Sequence, residues 1–189
     1  MTTLAAYQGD GWSVIGCDSR ASDESGRPMT IATHKITENN GYLIAGAGAS
    51  RGSNLLQFGW KPPKPTKLEN LDLFMTQKFI PAMRKTFIDA GYDMKEDGDA
   101  AAQDSSFIIS VYGVLYPIFE DYSWDRDSRG IYFNGSGGDV ALGAMAAMGI
   151  SKTKTPEQAE VIIRKAIEIS CNWDIHTSEP IITKIQYAK

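Results

Sequence analysis

The sequence predicts an α+β fold, a four-layer αββα sandwich in which two stacked antiparallel sheets lie between helical layers. Strand-like and helix-like segments are grouped in the order β-rich, two helices, β-rich, two helices, β, which favours this stack over alternating βαβ units. The chain of 189 residues is long enough to bury a substantial core, and no internal repeat is evident. We therefore expect a single domain over residues 1–189.

The N-terminal third is predicted to be rich in strands. Residues 2–18 predict two strands around a turn at 8–11, because Asp-Gly between alternating apolar segments favours a hairpin. Residues 30–36 and 42–45 are strand-like and are separated by a polar turn at 38–41.

A helical layer is predicted to follow. Residues 50–58 predict a short helix, and the prolines of 61–65 force an extended connector. Apolar residues recur at helical spacing over 68–90, where Pro81 predicts a kink. Residues 93–104 are predicted to form a loop.

The second half of the chain predicts a hairpin, a further strand, two helices and a closing strand. The last long helix begins at a Thr-Pro-Glu-Gln run, which has the form of a capping box with proline at the first helical position. These segments are residues 107–112 with 114–119, 130–133, 139–148, the helix from 155–158 onward, and 180–187.

Charge and cysteine content exclude several classes of function. With 19 basic and 23 acidic residues the net charge is −4, so the chain lacks a basic surface for nucleic acid. Cys17 and Cys171 lie far apart without a CxxC pattern, which argues against a zinc site and a disulfide framework and favours a reducing cytoplasm. Without a leader or an apolar run of about 18 residues, we expect neither secretion nor membrane insertion.

The second residue offers the clearest chemistry. Thr2 is small enough for methionine aminopeptidase to remove Met1, which would leave a hydroxyl and a free α-amine on one residue. An α-amine has a pKa of about 8, so it can accept the hydroxyl proton where no histidine serves as base. His34 and His176 have no suitable nucleophile nearby in the sequence, and we interpret both as structural.

An acidic residue and a lysine follow at strand ends. Asp18 ends the second predicted strand, where its carboxylate could meet Lys35 from a neighbouring strand. A buried ammonium held by a carboxylate would lower the pKa of the Thr2 hydroxyl and could relay its proton. A purely structural ion pair is the alternative.

The small residues that end the strand after Tyr42 could expose backbone N–H groups, such as that of Gly46, to an oxyanion. A tight strand-to-helix connection explains the same residues equally well. Gly46, Gly48 and Gly52 also fit a dinucleotide-binding loop, but no βαβ unit with a ribose-binding acid follows.

A second glycine-rich turn covers residues 135–138 and lacks the lysine of a nucleotide-binding P-loop. Ser136 in this turn could orient the amine of Thr2, and Asp174, which follows the last helix, could hold that amine and Ser136 in register. An ordinary turn serine and a local capping carboxylate are the alternatives.

In this order, the motifs resemble those of proteasome β-type subunits, within the N-terminal-nucleophile (Ntn) hydrolase superfamily. The form of the glycine-rich turn is most similar to that of the bacterial heat-shock-type two-ring peptidase. Lys35 lies one residue farther from Thr2 than is usual in the family, and a one-residue shift on a strand would reverse its side chain. The matching residues are Thr2 with Thr3, Asp18 with Arg20, Lys35, Ala45 with Gly46, 135–137, and Asp174 with Thr177.

The resemblance implies an Ntn-hydrolase fold and a threonine-type endopeptidase that hydrolyses peptides or unfolded proteins. It also implies a homo-oligomer of stacked rings and an AAA+ ATPase unfoldase as partner. An Ntn-type small-molecule amidase and a catalytically silent scaffold subunit are the alternatives.

The resemblance further assigns a role to each matching residue. Besides the nucleophile Thr2, these are Asp18 and Lys35 to tune it, Gly46 for the oxyanion, Ser136 and Asp174 for the amine, and Arg20 and Thr177 in support. The backbone carbonyls of Cys171, Asp174 and Thr177 could hold a structural Na⁺ or K⁺ ion, and no other cofactor is expected.

Overall fold

Two four-stranded antiparallel sheets and a short two-stranded ribbon make up the strands of the described chain. The computed structural model describes residues 2–23, 25–66, 69–93 and 103–188. Met1, most of the predicted loop at 93–104 and the predicted helix start at residue 68 lie outside these ranges. The strands are β1 (Leu4–Gly9), β2 (Trp12–Cys17), β3 (Arg20–Ser22), β4 (Pro28–Thr30), β5 (Ile36–Asn39), β6 (Tyr42–Gly48), β7 (Ser105–Val111), β8 (Val114–Ile118), β9 (Ile131–Asn134) and β10 (Ile182–Tyr187).

The first sheet has the strand order β10-β2-β1-β9. The predicted N-terminal hairpin is confirmed, with Gly11 at φ 76° in the turn, a left-handed conformation that glycine adopts without strain. In the register of this sheet, Leu4 lies opposite Cys17 on one side and Asn134 on the other. The residues just before β1, after β2 and after β9 therefore meet at one end of the sheet.

The second sheet has the strand order β5-β6-β7-β8. The strand predicted over residues 30–36 is wrong, because β4 ends at Thr30 and β5 begins only at Ile36. Strand propensity is expressed only where a partner strand is available. Between these strands the chain leaves the β3–β4 ribbon and joins the second sheet, so residues 31–35 have no strand to pair with.

The helices fall into two groups along the chain, one between β6 and β7 and the other between β9 and β10. The described ranges contain α1 (Ser50–Asn54), α2 (Leu71–Phe74), α3 (Ile80–Asp89), α4 (Gly138–Ala147) and α5 (Pro156–Trp173). A π-helical turn continues α1, and another joins α2 to α3, whose second residue is Pro81. Proline cannot donate the α-helical hydrogen bond, which fits a change of hydrogen-bonding pattern at the predicted kink. No helix in the described ranges is both long enough and apolar enough to span a bilayer.

Three apolar clusters hold these elements together. One joins the first sheet to α4 and α5, through residues such as Val14, Met145 and Ile163. A second joins the other sheet to α2, α3 and the π-helical turn after α1, through Ile44, Leu56 and Phe87 among others. The third contains side chains of both sheets: Leu4, Ala6, Ile15, Cys17, Ile36, Leu43, Ala45, Ala47, Ile108, Leu115 and Tyr132. Side chains of the two sheets therefore pack against each other.

The predicted capping residue of α5 yields a stability prediction. Thr155 is the N-cap, and its side chain accepts a hydrogen bond from the N–H of Gln158 at 3.4 Å. We expect Thr155→Ala to lower the free energy of unfolding by about 1 kcal/mol, because that N–H loses its acceptor. Chemical denaturation measures the change, and Thr155→Ser, which keeps the acceptor, is the control. Equal losses in the two variants would contradict the capping role.

Candidate active site

The strand register brings the N-terminal residues against Asp18. The Thr3 N–H donates to Asp18 Oδ1 at 2.9 Å, and the Asp18 N–H donates to the Thr3 carbonyl at 3.2 Å. Thr2 is 5% exposed and Thr3 is fully buried. Thr2 and Thr3 are thus fixed inside the protein at the end of the first sheet.

Asp18 is a fully buried carboxylate with hydrogen-bond donors on both oxygens. Lys35 Nζ lies 2.6 Å from Oδ1, and the N–H groups of Arg20 and Ser178 donate to Oδ2 at 2.9 and 3.4 Å. A buried charge is tolerated only when a counter-charge and hydrogen bonds compensate its lost hydration. The pair of Asp18 and Lys35 is therefore an integral part of this end of the sheet.

Lys35 reaches Asp18 despite its unusual spacing in the sequence. It lies one residue before β5, in the segment that crosses between the ribbon and the second sheet, and its side chain is 8% exposed. Because this segment does not have the alternation of a strand, the extra residue does not turn the side chain away. This geometry is consistent with a purely structural ion pair and also with a pair that tunes the Thr2 hydroxyl.

A second polar cluster adjoins the first. Asp174 Oδ2 accepts hydrogen bonds from the hydroxyls of Thr177 at 2.6 Å and Ser136 at 2.7 Å, and Oδ1 accepts from the N–H of His176 at 3.2 Å. Burial raises the pKa of Asp174, but the hydrogen bonds from Thr177 and Ser136 outweigh it and leave the pKa below its ordinary value. Asp174 is thus held as an anion.

The glycine-rich turn after β9 touches the chain start directly. Ser136 Oγ lies 3.5 Å from the Thr2 carbonyl oxygen, a contact and not a hydrogen bond, because its one proton goes to Asp174 at 2.7 Å. Gly135 has φ 82°, and a Cβ there would fall 1.9 Å from the same oxygen. Only glycine fits this position. The sequence pattern marked the turn as glycine-rich but gave no sign of which backbone atom it approaches.

The oxyanion candidate, Gly46, is a buried residue of β6. Ile36 pairs with Ala45, so the antiparallel register brings Gly46 level with Lys35. A Cβ at Gly46 would meet Ser53 and Phe107, on the side toward α1. At the end of β6, the N–H of Ala49 donates to the Asp104 carbonyl at 3.0 Å. This bond favours the reading of the segment as a strand-to-helix connection, and the oxyanion role of Gly46 stays a prediction.

Arg20 and the proposed cation ligands have more limited connections. Arg20 begins β3. Its N–H binds Asp18, while its buried Nε has no hydrogen-bond partner in the described part of the chain.

The backbone carbonyls of Cys171, Asp174 and Thr177 are the predicted cation ligands. The Asp174 carbonyl already accepts a hydrogen bond from the Thr177 N–H at 3.0 Å. A carbonyl oxygen has two lone pairs, so a monovalent ion there stays a prediction.

One hydroxyl in the site was not singled out by the sequence. Thr3 Oγ1 lies 2.5 Å from Thr177 Oγ1, although 174 residues separate the two. The only sign of this contact in the sequence is that Thr3 directly follows Thr2. The sequence does not reveal Thr177 as its partner, because only the fold brings the two residues together.

Cys17 lies next to the Asp18–Lys35 pair and yields a pH prediction. Burial raises the pKa of this thiol from 9.0 to about 12, although the Lys35 ammonium lowers it. In the unfolded chain the thiol ionises near pH 9, so its contribution to stability is complete below that pH and is lost as the pH rises toward 12.

We expect the free energy of unfolding of the wild type to fall by about 1.4 kcal/mol more than that of Cys17→Ala between pH 7.5 and 10. Denaturant titrations at the two pH values measure both falls. Other groups that ionise in this range, including Cys171, are common to both proteins and cancel in the difference. Equal falls would contradict the raised pKa.

A cleft adjoins the glycine-rich turn. It has a volume of about 520 Å³ and lies between β8 and β9, with Ser106, Phe119, Phe133 and Gly135 in its lining. Its size falls within the range of small-ligand sites. Because Gly135 also contacts the Thr2 carbonyl, this cleft opens beside the chain start.

The residue after Thr2 joins the two polar clusters. The Thr3 N–H binds Asp18, the partner of Lys35, and the Thr3 hydroxyl binds that of Thr177, which donates to Asp174. Such a constellation suits attack on a carbonyl by a hydroxyl whose proton passes to a neighbouring nitrogen.

Solved structures share this fold over the whole chain, although the sequence matches no family model and no curated protein. BPH of Thiobacillus denitrificans in complex with epoxomicin has a TM-score of 0.79 at 17% identity, covering 100% of both chains. A second structure of Thiobacillus denitrificans BPH has a TM-score of 0.76 at 17% identity, covering 100% of this chain and 99% of the other. The eukaryotic HslV of Trypanosoma brucei has a TM-score of 0.66 at 17% identity, covering 98% of this chain and 99% of the other. The chain therefore has the proteasome-like fold that the resemblance predicted.

Proposed function

We propose that this chain is a threonine peptidase of the proteasome β type, with Thr2 as nucleophile once Met1 has been removed. One observation carries the proposal: the residue after Thr2 binds through its N–H to a buried carboxylate that also holds a lysine ammonium. A structural ion pair needs no such connection to the start of the chain. The fold shared with BPH and HslV supports the same reading.

In the proposed mechanism, the Thr2 hydroxyl oxygen attacks the carbonyl carbon of the scissile peptide bond. Its proton passes to the terminal amine, directly or through Lys35, and a backbone N–H such as that of Gly46 stabilises the oxyanion. The tetrahedral intermediate then breaks its C–N bond, and the leaving amine takes up the proton. Water, deprotonated by the same amine, hydrolyses the resulting ester and regenerates the Thr2 hydroxyl.

The second cluster would organise the amine. Ser136 donates to Asp174, so its oxygen remains an acceptor for an ammonium or amine proton at the chain start. The anionic Asp174 favours the protonated amine that forms during attack. Thr177 shares the same carboxylate oxygen and keeps it in place.

The wider proposal concerns assembly and substrates. The three apolar clusters support the four-layer αββα sandwich of Ntn hydrolases. We propose that copies of the chain form stacked rings in the cytoplasm, that they degrade peptides or unfolded proteins, and that an AAA+ ATPase unfolds the larger substrates. The cleft beside Gly135 would admit part of an extended peptide.

Intact-protein mass spectrometry tests the proposal. The purified protein is expected to lack Met1 and to gain the mass of one epoxomicin, the compound bound to BPH in the solved complex. Peptide mapping should locate the adduct on Thr2. An adduct elsewhere, or a native protein that retains Met1 and forms none, would refute the peptidase and leave the scaffold reading.

A further inference from the structure

We propose that Thr3 is a positioning residue, whose hydroxyl and backbone N–H together fix the nucleophile between the two polar clusters of the site. The inference rests on the proposed function of Thr2. It assigns a role to a residue that the family resemblance names only as part of a pair.

Thr3 makes hydrogen bonds to both clusters. Its N–H donates to Asp18 Oδ1, the oxygen that also binds Lys35 Nζ. Its side-chain oxygen lies 2.5 Å from that of Thr177, which in turn binds Asp174. The residue next to the nucleophile is therefore held by its backbone on one side and by its side chain on the other.

The direction of the side-chain bond follows from counting protons. Thr177 donates its one hydroxyl proton to Asp174 Oδ2 at 2.6 Å, so it can only accept from Thr3. The resulting series of hydrogen bonds runs from the Thr3 hydroxyl through the Thr177 hydroxyl to the Asp174 carboxylate. Thr3 is fully buried, so water cannot replace this partner.

The glycine-rich turn packs against this series of hydrogen-bonded groups. A Cβ at Gly137 would lie 2.1 Å from Thr3 Oγ1, 2.8 Å from Thr177 Oγ1 and 3.0 Å from Asp174 Oδ2. The backbone of the turn thus packs against all three oxygens. This contact explains why the residue after Ser136 is a glycine.

Fixing Thr3 also fixes the reactive groups of Thr2. Adjacent Cα atoms are separated by about 3.8 Å along a rigid peptide unit, so a rotation of Thr3 displaces the Thr2 hydroxyl and amine. A displacement of about 1 Å can cost about 100-fold in rate. We therefore expect Thr3 to affect the chemical step and not the binding of the electrophile.

Thr3→Val tests the inference, because valine keeps the shape and the N–H bond but lacks the hydroxyl. With epoxomicin as probe, we expect the maximal rate of adduct formation at Thr2 to fall about 10-fold, with half-saturation changed less than about 2-fold. Thr3→Ser should restore the rate to within about 2-fold of the wild type. In Thr3→Val/Thr177→Val, the combined loss should be smaller than the product of the single losses.

A matched control breaks a similar bond away from the site. Ser13 and Ser110 are fully buried, and their hydroxyl oxygens lie 2.6 Å apart. Ser13 is five residues from Asp18 along the chain, or roughly 16 Å along a strand. Ser13→Ala should lower stability and leave the labelling rate unchanged.

The outcomes separate this inference from the proposed function. If wild-type Thr2 forms no adduct, both are overturned. If the wild type is labelled and Thr3→Val reacts equally fast, or if Thr3→Ser does not restore the rate, only the role of Thr3 is overturned. Should Thr3→Val not fold, Thr3→Ala is compared with Thr3→Ser in its place, and equal rates in those two variants overturn the role.

Discussion

Thr2→Ala is expected to lower the rate of protein hydrolysis more than about 1,000-fold, because no other group in the site replaces the attacking oxygen. Degradation of unfolded, fluorescently labelled casein measures the rate. The free energy of unfolding should change by less than about 1 kcal/mol, since alanine removes only a small part of the side chain.

Thr2→Ser provides the matched control for this prediction. Serine keeps a hydroxyl and an α-amine on one residue, and it is also small enough for removal of Met1. This variant should retain measurable hydrolysis. Undiminished hydrolysis by Thr2→Ala would show that the nucleophile lies elsewhere.

Lys35→Met is expected to lower the free energy of unfolding by about 3 kcal/mol and the hydrolysis rate by about 100-fold or more. The substitution leaves the fully buried Asp18 carboxylate without its counter-charge. Chemical denaturation and casein degradation measure the two effects. In Asp18→Asn/Lys35→Met, part of the stability should return, because neither charge remains unpaired, whereas activity should not.

An exposed ion pair supplies the control. Lys85 and Asp89 lie 2.8 Å apart on α3, with side-chain exposures of 74% and 58%. Lys85→Met should change the free energy of unfolding by less than about 0.5 kcal/mol, because water compensates the loss. If Lys35→Met proved as mild as Lys85→Met, the buried pair would not have the structural importance assigned to it.

Local signals in the sequence predicted much of the fold. The Asp-Gly turn of the first hairpin and the Thr155 cap both act through neighbouring residues, so their patterns are readable without the tertiary structure. The absent strand at 31–35 shows the limit. Its β-branched residues favour extended backbone, but the crossing between two sheets removes any pairing partner.

The candidate site, too, could be predicted where it depends on local sequence patterns and not where it depends on tertiary packing. The meeting of Asp18 with the chain start follows from the hairpin register, which a turn position fixes. The orientation of Gly46 could not be predicted, because β6 has small or apolar residues on both of its faces and the alternation gives no contrast. The bond between Thr3 and Thr177 depends on where α5 ends relative to β1, which only the packed structure determines.

The partners of Thr3 are widely separated along the chain, which has a consequence for biosynthesis. Asp18 is 15 residues from Thr3, whereas Thr177 is 174 residues away and follows α5. The two polar clusters can therefore meet only after translation has passed the end of α5. Assembly of this end of the first sheet is thus a late event in biosynthesis.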